Sequence, residues 1–194
     1  MNILVVGGSP AHGVPERERF DVRLTQYLAN RAEAPAVLHL AVPGTLGEAV
    51  FALAQPFVDL GNYNLIVLQT GEDAPTAAGQ THRWTALPRR LEQLRQALTL
   101  LGPHRSRVVV LTPPPLAAPL PGLLRRWECH RIEALCRLWA FRVVNRCQPD
   151  LRYEFLFEGE SPRLNRLGHH YLSLEIIREL RWPSPKDDGE PAWL

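Results

Sequence analysis

The sequence predicts a three-layer α/β/α sandwich built around a parallel five-stranded sheet. Short β-rich apolar runs alternate with amphipathic helical segments about five times, which is the pattern of a parallel sheet covered by helices on both faces. The length of 194 residues suits one domain with a sizeable core. We expect a single domain over residues 1–182 and a frayed tail over residues 183–194, which is rich in Pro, Lys, Asp and Gly.

The expected strands are short apolar runs that end at turn-forming residues. The first ends at residues 7–9 (GGS), the third at Thr70-Gly71 and the fourth at residues 113–115 (PPP). Glycine and proline are the strongest local breaks in a regular element, so these residues mark where each predicted strand ends. The five strands are predicted over residues 3–6, 36–42, 64–69, 107–111 and 141–147.

The expected helices are recognised by apolar residues that recur every three or four positions. The clearest has a leucine stripe with charged residues beside it, and Gly102-Pro103 ends it. Thr45, with Glu48 three residues later, has the spacing of a capping box, and Pro56 predicts a kink or an early end in the same helix. The helices are predicted over residues 20–31, 45–60, 87–101, 122–141 and 165–181.

The composition argues against several classes of function. The net charge is only +2 and the arginines are spread along helices, so no nucleic-acid partner is expected. No apolar run is long enough to span a bilayer, and residues 3–6 are too short for a signal peptide, so we expect a cytoplasmic protein without a membrane partner. The three cysteines lack metal-ligand spacing, so no metal site is expected, and Cys129 and Cys136 are predicted to fill the core.

Ligands of such sheets bind outside the carboxyl ends of the strands, so the loops at that edge are the ones to read for function. Residues 3–9 (ILVVGGS) form a strand followed by a serine, and residues 42–45 (VPGT) place Gly44 in the next loop. Further along come residues 65–73 (LIVLQTGED), residues 108–114 (VVVLTPP) and Leu164-Asn165 with Gly168-His169. Together these five segments resemble, in order and spacing, the motifs of the SGNH (GDSL-type) hydrolase superfamily, whose fold is SGNH-hydrolase/flavodoxin-like.

The resemblance implies a role for several residues. Ser9 falls at the nucleophile position, with Gly8 in place of the family's Asp. Gly44 falls at the position whose backbone N–H donates to the oxyanion hole. The oxyanion-donating Asn of the third motif has no counterpart, because Glu72 or Asp73 stands in its place. A carboxylate there would repel a developing oxyanion rather than stabilise it.

The last motif departs further from the family pattern. Alignment puts Glu160 where the family has Asp and Arg163 where it has the general-base His. A guanidinium has a pKa above about 12 and no acceptor lone pair, so Arg163 cannot take a proton from Ser9. None of the seven histidines has an acidic residue three positions before it, so no shifted histidine completes the motif. Arg163 can instead bind an anionic ligand group, or pair with Glu160 or Glu72.

Three other sources of a base remain open from the sequence. His12 lies three residues beyond the nucleophile position and can reach back from the same loop. His169 or His170 can approach from the start of the last helix, although a packing role is expected for His169. One of the acidic residues named above can act as a base at a raised pKa.

The sequence therefore leaves three hypotheses of function. The first is a degenerate or repurposed SGNH-type protein that lacks ordinary ester hydrolysis and binds a small acyl- or sugar-bearing ligand or a protein partner. The second is an atypical serine esterase or acyltransferase that uses Ser9 with a non-standard base. The third is a flavodoxin-like nucleotide binder, which is disfavoured because no Gly-x-Gly-x-x-Gly motif or Walker lysine is present. No cofactor is expected under the first two.

Overall fold

The computed structural model of the chain describes residues 2–7, 16–29, 36–40, 46–55, 58–71, 87–115, 119–147, 153–156 and 164–181. At its centre lies a five-stranded sheet in the order β2-β1-β3-β4-β5, and every neighbouring pair of strands is parallel. The predicted sheet is therefore confirmed in strand number and direction. The strands are β1 (Asn2–Val6), β2 (Ala36–Leu40), β3 (Leu65–Gln69), β4 (Val108–Leu111) and β5 (Arg142–Val144).

Helices connect the strands along the chain. They are α1 (Phe20–Ala29), α2 (Leu46–Leu53), α3 (Leu87–Leu101), α4 (Pro119–Leu138), α5 (Tyr153–Leu156) and α6 (Arg166–Arg181). Three short 3-10 helices lie at Glu16–Glu18, Leu60–Asn62 and Gly102–Arg107. The predicted range of α2 is too long, because the helix ends at Leu53, and Pro56 lies outside the described residues. The four-residue α5 was not predicted, since it is too short to show a helical period.

The two faces of the sheet carry separate halves of the core. Leu4, Ile66 and Val108 belong to a cluster that includes α2, α3 and α4, whereas Ile3, Leu65 and Val109 belong to one that includes α1 and α6. Successive side chains of a strand point to opposite faces, so a strand covered on both sides must be apolar at every position. This explains why β3 and β4 appear in the sequence as uninterrupted apolar runs, and it confirms the three-layer sandwich.

The strand order also defines where the chain changes direction. From β1 the chain passes to β2 on one side and then to β3 on the other, so the loops after β1 and β3 leave the sheet in opposite directions. In open parallel sheets, a crevice forms at such a switch point, outside the carboxyl ends of the strands. Residues 8–9 and 72–73 follow directly on these two strands in the sequence. In the described part of the chain, no helix is both long and apolar enough to cross a membrane.

We predict that Leu98→Ala lowers the free energy of unfolding by about 2–5 kcal/mol, because Leu98 is fully buried in the core between the sheet and α3. Leu100→Ala provides a matched control on the same helix, because Leu100 is 37% exposed. Its expected cost is below about 1 kcal/mol. Urea denaturation followed by circular dichroism measures both values, and equal costs would contradict this assignment of the buried face of α3.

Candidate functional site

All eight residues singled out from the sequence as catalytic or binding lie outside the described residues, so their roles stay predictions. They are Gly8, Ser9, His12, Gly44, Glu72, Asp73, Glu160 and Arg163. The structure does describe the carboxyl ends of β1, β3, β4 and β5, together with the start of α6. These elements form the frame from which the loops that carry the predicted residues depart.

The turn after β1 requires a glycine. Gly7 has a φ of +79°, and a Cβ atom there would lie 2.6 Å from the carbonyl oxygen of Gln69 on the neighbouring strand. Both the positive φ and the close approach exclude a side chain. The chain therefore leaves β1 in a tight turn against β3, immediately before Gly8 and Ser9. A sharp turn at this place is compatible with the nucleophile position that the sequence assigns to Ser9.

Gln69 occupies the carboxyl end of β3 and was not identified from the sequence. By strand alternation its side chain shares the face of Leu65 and Val67, which α1 and α6 cover. The residue is buried, yet its side-chain Nε2 has no hydrogen-bond partner within the described part of the chain. A buried amide donor without an acceptor is costly and needs a functional or structural reason. The sequence feature that could have identified Gln69 is its position as a polar residue at the end of an apolar strand.

Backbone pairing continues beyond the last residues of β3, β4 and β5. The Thr70 N–H and hydroxyl both donate to the carbonyl oxygen of Leu111, at 3.0 and 2.8 Å. The Thr112 hydroxyl accepts the backbone N–H of Arg146 at 2.9 Å, while the Arg146 Nε donates to the Thr112 carbonyl oxygen. These bonds hold the exits of the three strands in register. We call this set of contacts the carboxyl-edge network.

Asn145 joins the carboxyl-edge network to α4. Its side-chain oxygen accepts the backbone N–H of Cys147 at 2.9 Å, and its Nδ2 donates to Glu133 at 2.7 Å. The side chain of an asparagine commonly fixes a turn by bonding to the backbone two residues later. Asn145 therefore determines both the shape of the turn after β5 and its position against α4.

A buried cluster of charges links α3 to α4. Glu128 contacts Arg90 at 2.8 Å and Arg125 at 3.0 Å, and the side chains of Arg125 and Glu128 are both buried. Burial lowers the pKa of Arg125, while the Glu128 carboxylate opposes that effect. One carboxylate thus serves two guanidinium groups in a region of low dielectric, where its loss would leave both charges poorly compensated.

His169 is a packing residue of the interface between α6 and α1, as the sequence suggested. Its Nδ1 accepts the backbone N–H of Phe20 at 3.2 Å, and its ring stacks on that of Phe20 with 6.1 Å between centroids. An Nδ1 that accepts a hydrogen bond carries no proton, so the imidazole is neutral with its proton on Nε2. Burial lowers the pKa of His169 to about 4, with Asp21 opposing the effect.

His170, the neighbouring imidazole, also faces α1. Its Nδ1 lies 3.1 Å from the Tyr27 hydroxyl and 3.4 Å from the Arg23 guanidinium. Because a guanidinium only donates, Nδ1 acts as the acceptor in that contact. The two imidazoles nearest in sequence to the family's base position are thus both engaged by α1.

A small, mainly apolar cavity of about 20 Å³ opens between β5, α5 and α6. Val144, Leu164 and Leu172 lie in its wall, and Asn145 and Arg146 line it where β5 ends. Beside this cavity α6 approaches α5 closely: a Cβ atom at Gly168 would lie 2.1 Å from the carbonyl oxygen of Leu156. Sequence reasoning missed the cavity because it missed α5.

Comparisons with known proteins give the fold a name. No protein-family model and no curated protein matches the chain. Among solved structures, a lipase/acylhydrolase from Enterococcus faecalis superposes with a TM-score of 0.65 at 18% identity, covering 92% of this chain and 94% of that one. A GDSL-like lipase from Bacteroides thetaiotaomicron gives a TM-score of 0.67 at 13% identity, over 92% and 87%.

The chain has the SGNH hydrolase fold. The structure of an acetylxylan esterase from Geobacillus stearothermophilus also superposes on this chain, with a TM-score of 0.66 at 14% identity over 94% of each chain. The resemblance inferred from the motifs is thereby confirmed at the level of the fold. On the SGNH frame, the loop after β1 and the segment before α6 are where the sequence motifs placed Ser9, Glu160 and Arg163.

We predict that Glu128→Gln lowers the free energy of unfolding by about 3 kcal/mol, because it removes the carboxylate shared by Arg90 and Arg125. Glu92→Gln is the matched control: Glu92 pairs with Arg95 at 3.6 Å, and both side chains are more than half exposed. That substitution should change the free energy by less than about 0.5 kcal/mol. Denaturant titration tests the pair, and a Glu128 variant as stable as the Glu92 variant would show that the buried cluster is not required.

We predict that His169 makes the protein less stable as the pH falls from 6.5 towards 4. The folded state lowers the pKa of His169 to about 4 from 6.5, so between these values the unfolded state binds more protons. Its contribution is complete above pH 6.5 and falls by about 3 kcal/mol in total on acidification. Thermal unfolding across this range checks the slope, which should be shallower in His169→Asn. His130→Asn is the control, because His130 is largely exposed, and it should keep the wild-type slope.

Proposed function

We propose that this chain is a repurposed SGNH-fold protein that binds a small acyl- or sugar-bearing ligand and does not hydrolyse esters by the family's Ser–His–Asp mechanism. The observation that carries the proposal is the engagement of His169 and His170 by α1. With both imidazoles at the start of α6 used there, the segment before α6 offers Arg163 at the position of the base. The proposed location is cytoplasmic, without a membrane or nucleic-acid partner.

The chemistry of arginine explains why a guanidinium at the position of the base would prevent ester hydrolysis. A serine hydroxyl becomes nucleophilic when an adjacent base accepts its proton, and a guanidinium has no lone pair for that purpose. In serine hydrolases, removal of a triad member lowers the rate by several orders of magnitude. A guanidinium at this position is suited to a different task, the bidentate binding of a carboxylate or another planar anionic group.

Two features of the described residues support ligand binding. The unsatisfied Nε2 of Gln69 is a buried donor at the switch point of the sheet, where a carbonyl or hydroxyl oxygen of a ligand would satisfy it. The small apolar cavity between β5, α5 and α6 is lined by side chains that would contact the apolar end of an acyl group bound beside it. Both features lie on the face of the sheet that α6 covers.

The second candidate is an atypical serine esterase or acyltransferase. Two observations favour it: the tight turn at Gly7 just before Ser9, and the similarity to structures described as lipases and esterases. In that case Ser9 would be the nucleophile, with the backbone N–H groups of Ser9 and Gly44 as oxyanion donors. The base would have to be His12 or a carboxylate such as Glu160, since α1 engages His169 and His170.

We predict that a fluorophosphonate probe does not label the wild-type protein, because without a base the Ser9 hydroxyl is not activated. Intact-protein mass spectrometry measures the labelling, with an active esterase of the same fold as the positive control and Ser9→Ala as the negative control. Stoichiometric labelling of the wild type that Ser9→Ala abolishes would replace the first candidate with the second.

The same proposal predicts a gain of activity in Arg163→His. An imidazole at position 163, three residues after Glu160, would restore the spacing of the family's acid and base. Hydrolysis of p-nitrophenyl acetate should then rise roughly tenfold or more above the wild type, and fall back in the double variant with Ser9→Ala. Arg163→Gln is the matched control, because it removes the charge without adding a base. Equal rates in the His and Gln variants would show that position 163 does not face the serine.

A further inference from the structure

Two of the three cysteines meet at the carboxyl edge of the sheet. The Sγ atoms of Cys129, on α4, and Cys147, in the turn after β5, lie 2.9 Å apart, and both thiols are free. Each sulfur also lies near the carbonyl oxygen of Pro113, at 3.5 and 3.6 Å. Since a disulfide bond is about 2.05 Å long, the two sulfurs need to approach each other by only about 0.9 Å to bond.

The third cysteine shows that burial alone does not produce this contact. Cys136 lies two turns further along α4 and is fully buried. It has no sulfur neighbour in the described residues, and burial raises its pKa to about 12. Core filling, which was the sequence-based expectation for Cys129 and Cys136, therefore describes Cys136 fully but describes Cys129 only in part.

The surroundings make the two sulfurs of the pair unequal. A hydrogen bond from the Cys129 thiol lowers the pKa of Cys147; burial opposes this effect, and the positive charges of Arg125 and Arg146 add to it. Burial and the neighbouring Cys147 raise the pKa of Cys129. Cys147 also retains 3% exposure, whereas Cys129 is fully buried. Both sulfurs are buried, and Cys147 is the one with the greater thiolate character.

We propose that Cys129 and Cys147 form a redox pair that hydrogen peroxide converts into a disulfide. The Cys147 thiolate attacks one oxygen of the peroxide, the O–O bond breaks, and the departing hydroxide takes a proton to become water. The Cys129 sulfur, after losing its own proton, attacks the resulting sulfenic acid at Cys147 Sγ. The S–O bond breaks, and its hydroxide leaves as a second water. Two electrons pass from the two thiols to the peroxide.

The bond would join α4 to the turn that follows β5. Asn145 and Arg146, in that turn, hold the carboxyl-edge network together through Thr112 and Glu133. A cross-link between residues 129 and 147 closes a short loop, so it restricts the unfolded chain and should raise the melting temperature. The redox pair would therefore couple the oxidation state of the surroundings to the rigidity of the edge from which the ligand loops depart.

The test uses the full chain, freshly reduced, freed of reductant and treated with hydrogen peroxide. Denaturation in N-ethylmaleimide followed by intact mass measurement counts the free thiols. We expect the wild type to go from three alkylated thiols to one, and to recover all three with dithiothreitol. A non-reducing proteolytic digest should contain the peptide pair of Cys129 and Cys147. The melting temperature should rise by roughly 6–12 °C on oxidation.

Cys136→Ser is the matched control, because it should still lose two thiols on oxidation. Cys129→Ser should form no disulfide and gain no stability on oxidation, and its Cys147 should become reactive towards dimedone as a sulfenic acid. The proposal is overturned if all wild-type thiols stay alkylatable, if the cross-link involves Cys136 or a second molecule, or if Cys147 is oxidised without bonding to Cys129. The wild-type digest tests for the bond between Cys129 and Cys147 even if a serine variant fails to fold.

Discussion

The pairing of β1 with both β2 and β3 is the constraint on which the functional surface of this protein depends. Because β1 lies between β2 and β3, the chain passes from β1 to β2 on one side and then to β3 on the other, and in such sheets a crevice forms where these paths diverge. The contact between Gly7 and the Gln69 carbonyl fixes how closely the two central strands exit. The Gly7 turn and the buried Gln69 amide both lie where β1 and β3 end side by side.

The same edge of the sheet concentrates polar groups that the apolar core cannot accommodate. Strands covered on both faces have no exposed side, so polar residues collect where the strands end. There Thr112, Asn145 and Arg146 satisfy one another and the backbone, and the pair of Arg125 and Glu128 compensates buried charge. The positive potential of this neighbourhood acts on the sulfur atoms as well, which is why structural ion pairs and thiol chemistry are connected in this molecule.

Sequence reasoning recovered the elements whose pattern is local. The apolar runs of β3 and β4, the leucine stripe of α3 and its end at Gly102 follow from residues adjacent in the chain, and the structure agrees with them. Contacts between distant residues had no such signal: the bond between His169 and Phe20 spans 149 positions. The motifs predicted which loops carry the candidate site residues. They did not predict which side chains lie at the edge of the sheet, because that depends on packing between distant residues.

The contacts of the α6 imidazoles with α1 serve the packing of the fold. Packing of α1 against α6 uses the neutral ring of His169 as an acceptor and a stacking surface, and neither role needs proximity to a serine. The frame itself is maintained by strand pairing and by the buried faces of the sheet, to which a general base contributes nothing. Under the proposed function, a guanidinium in place of the family's imidazole would change the chemistry of this edge without altering the sandwich.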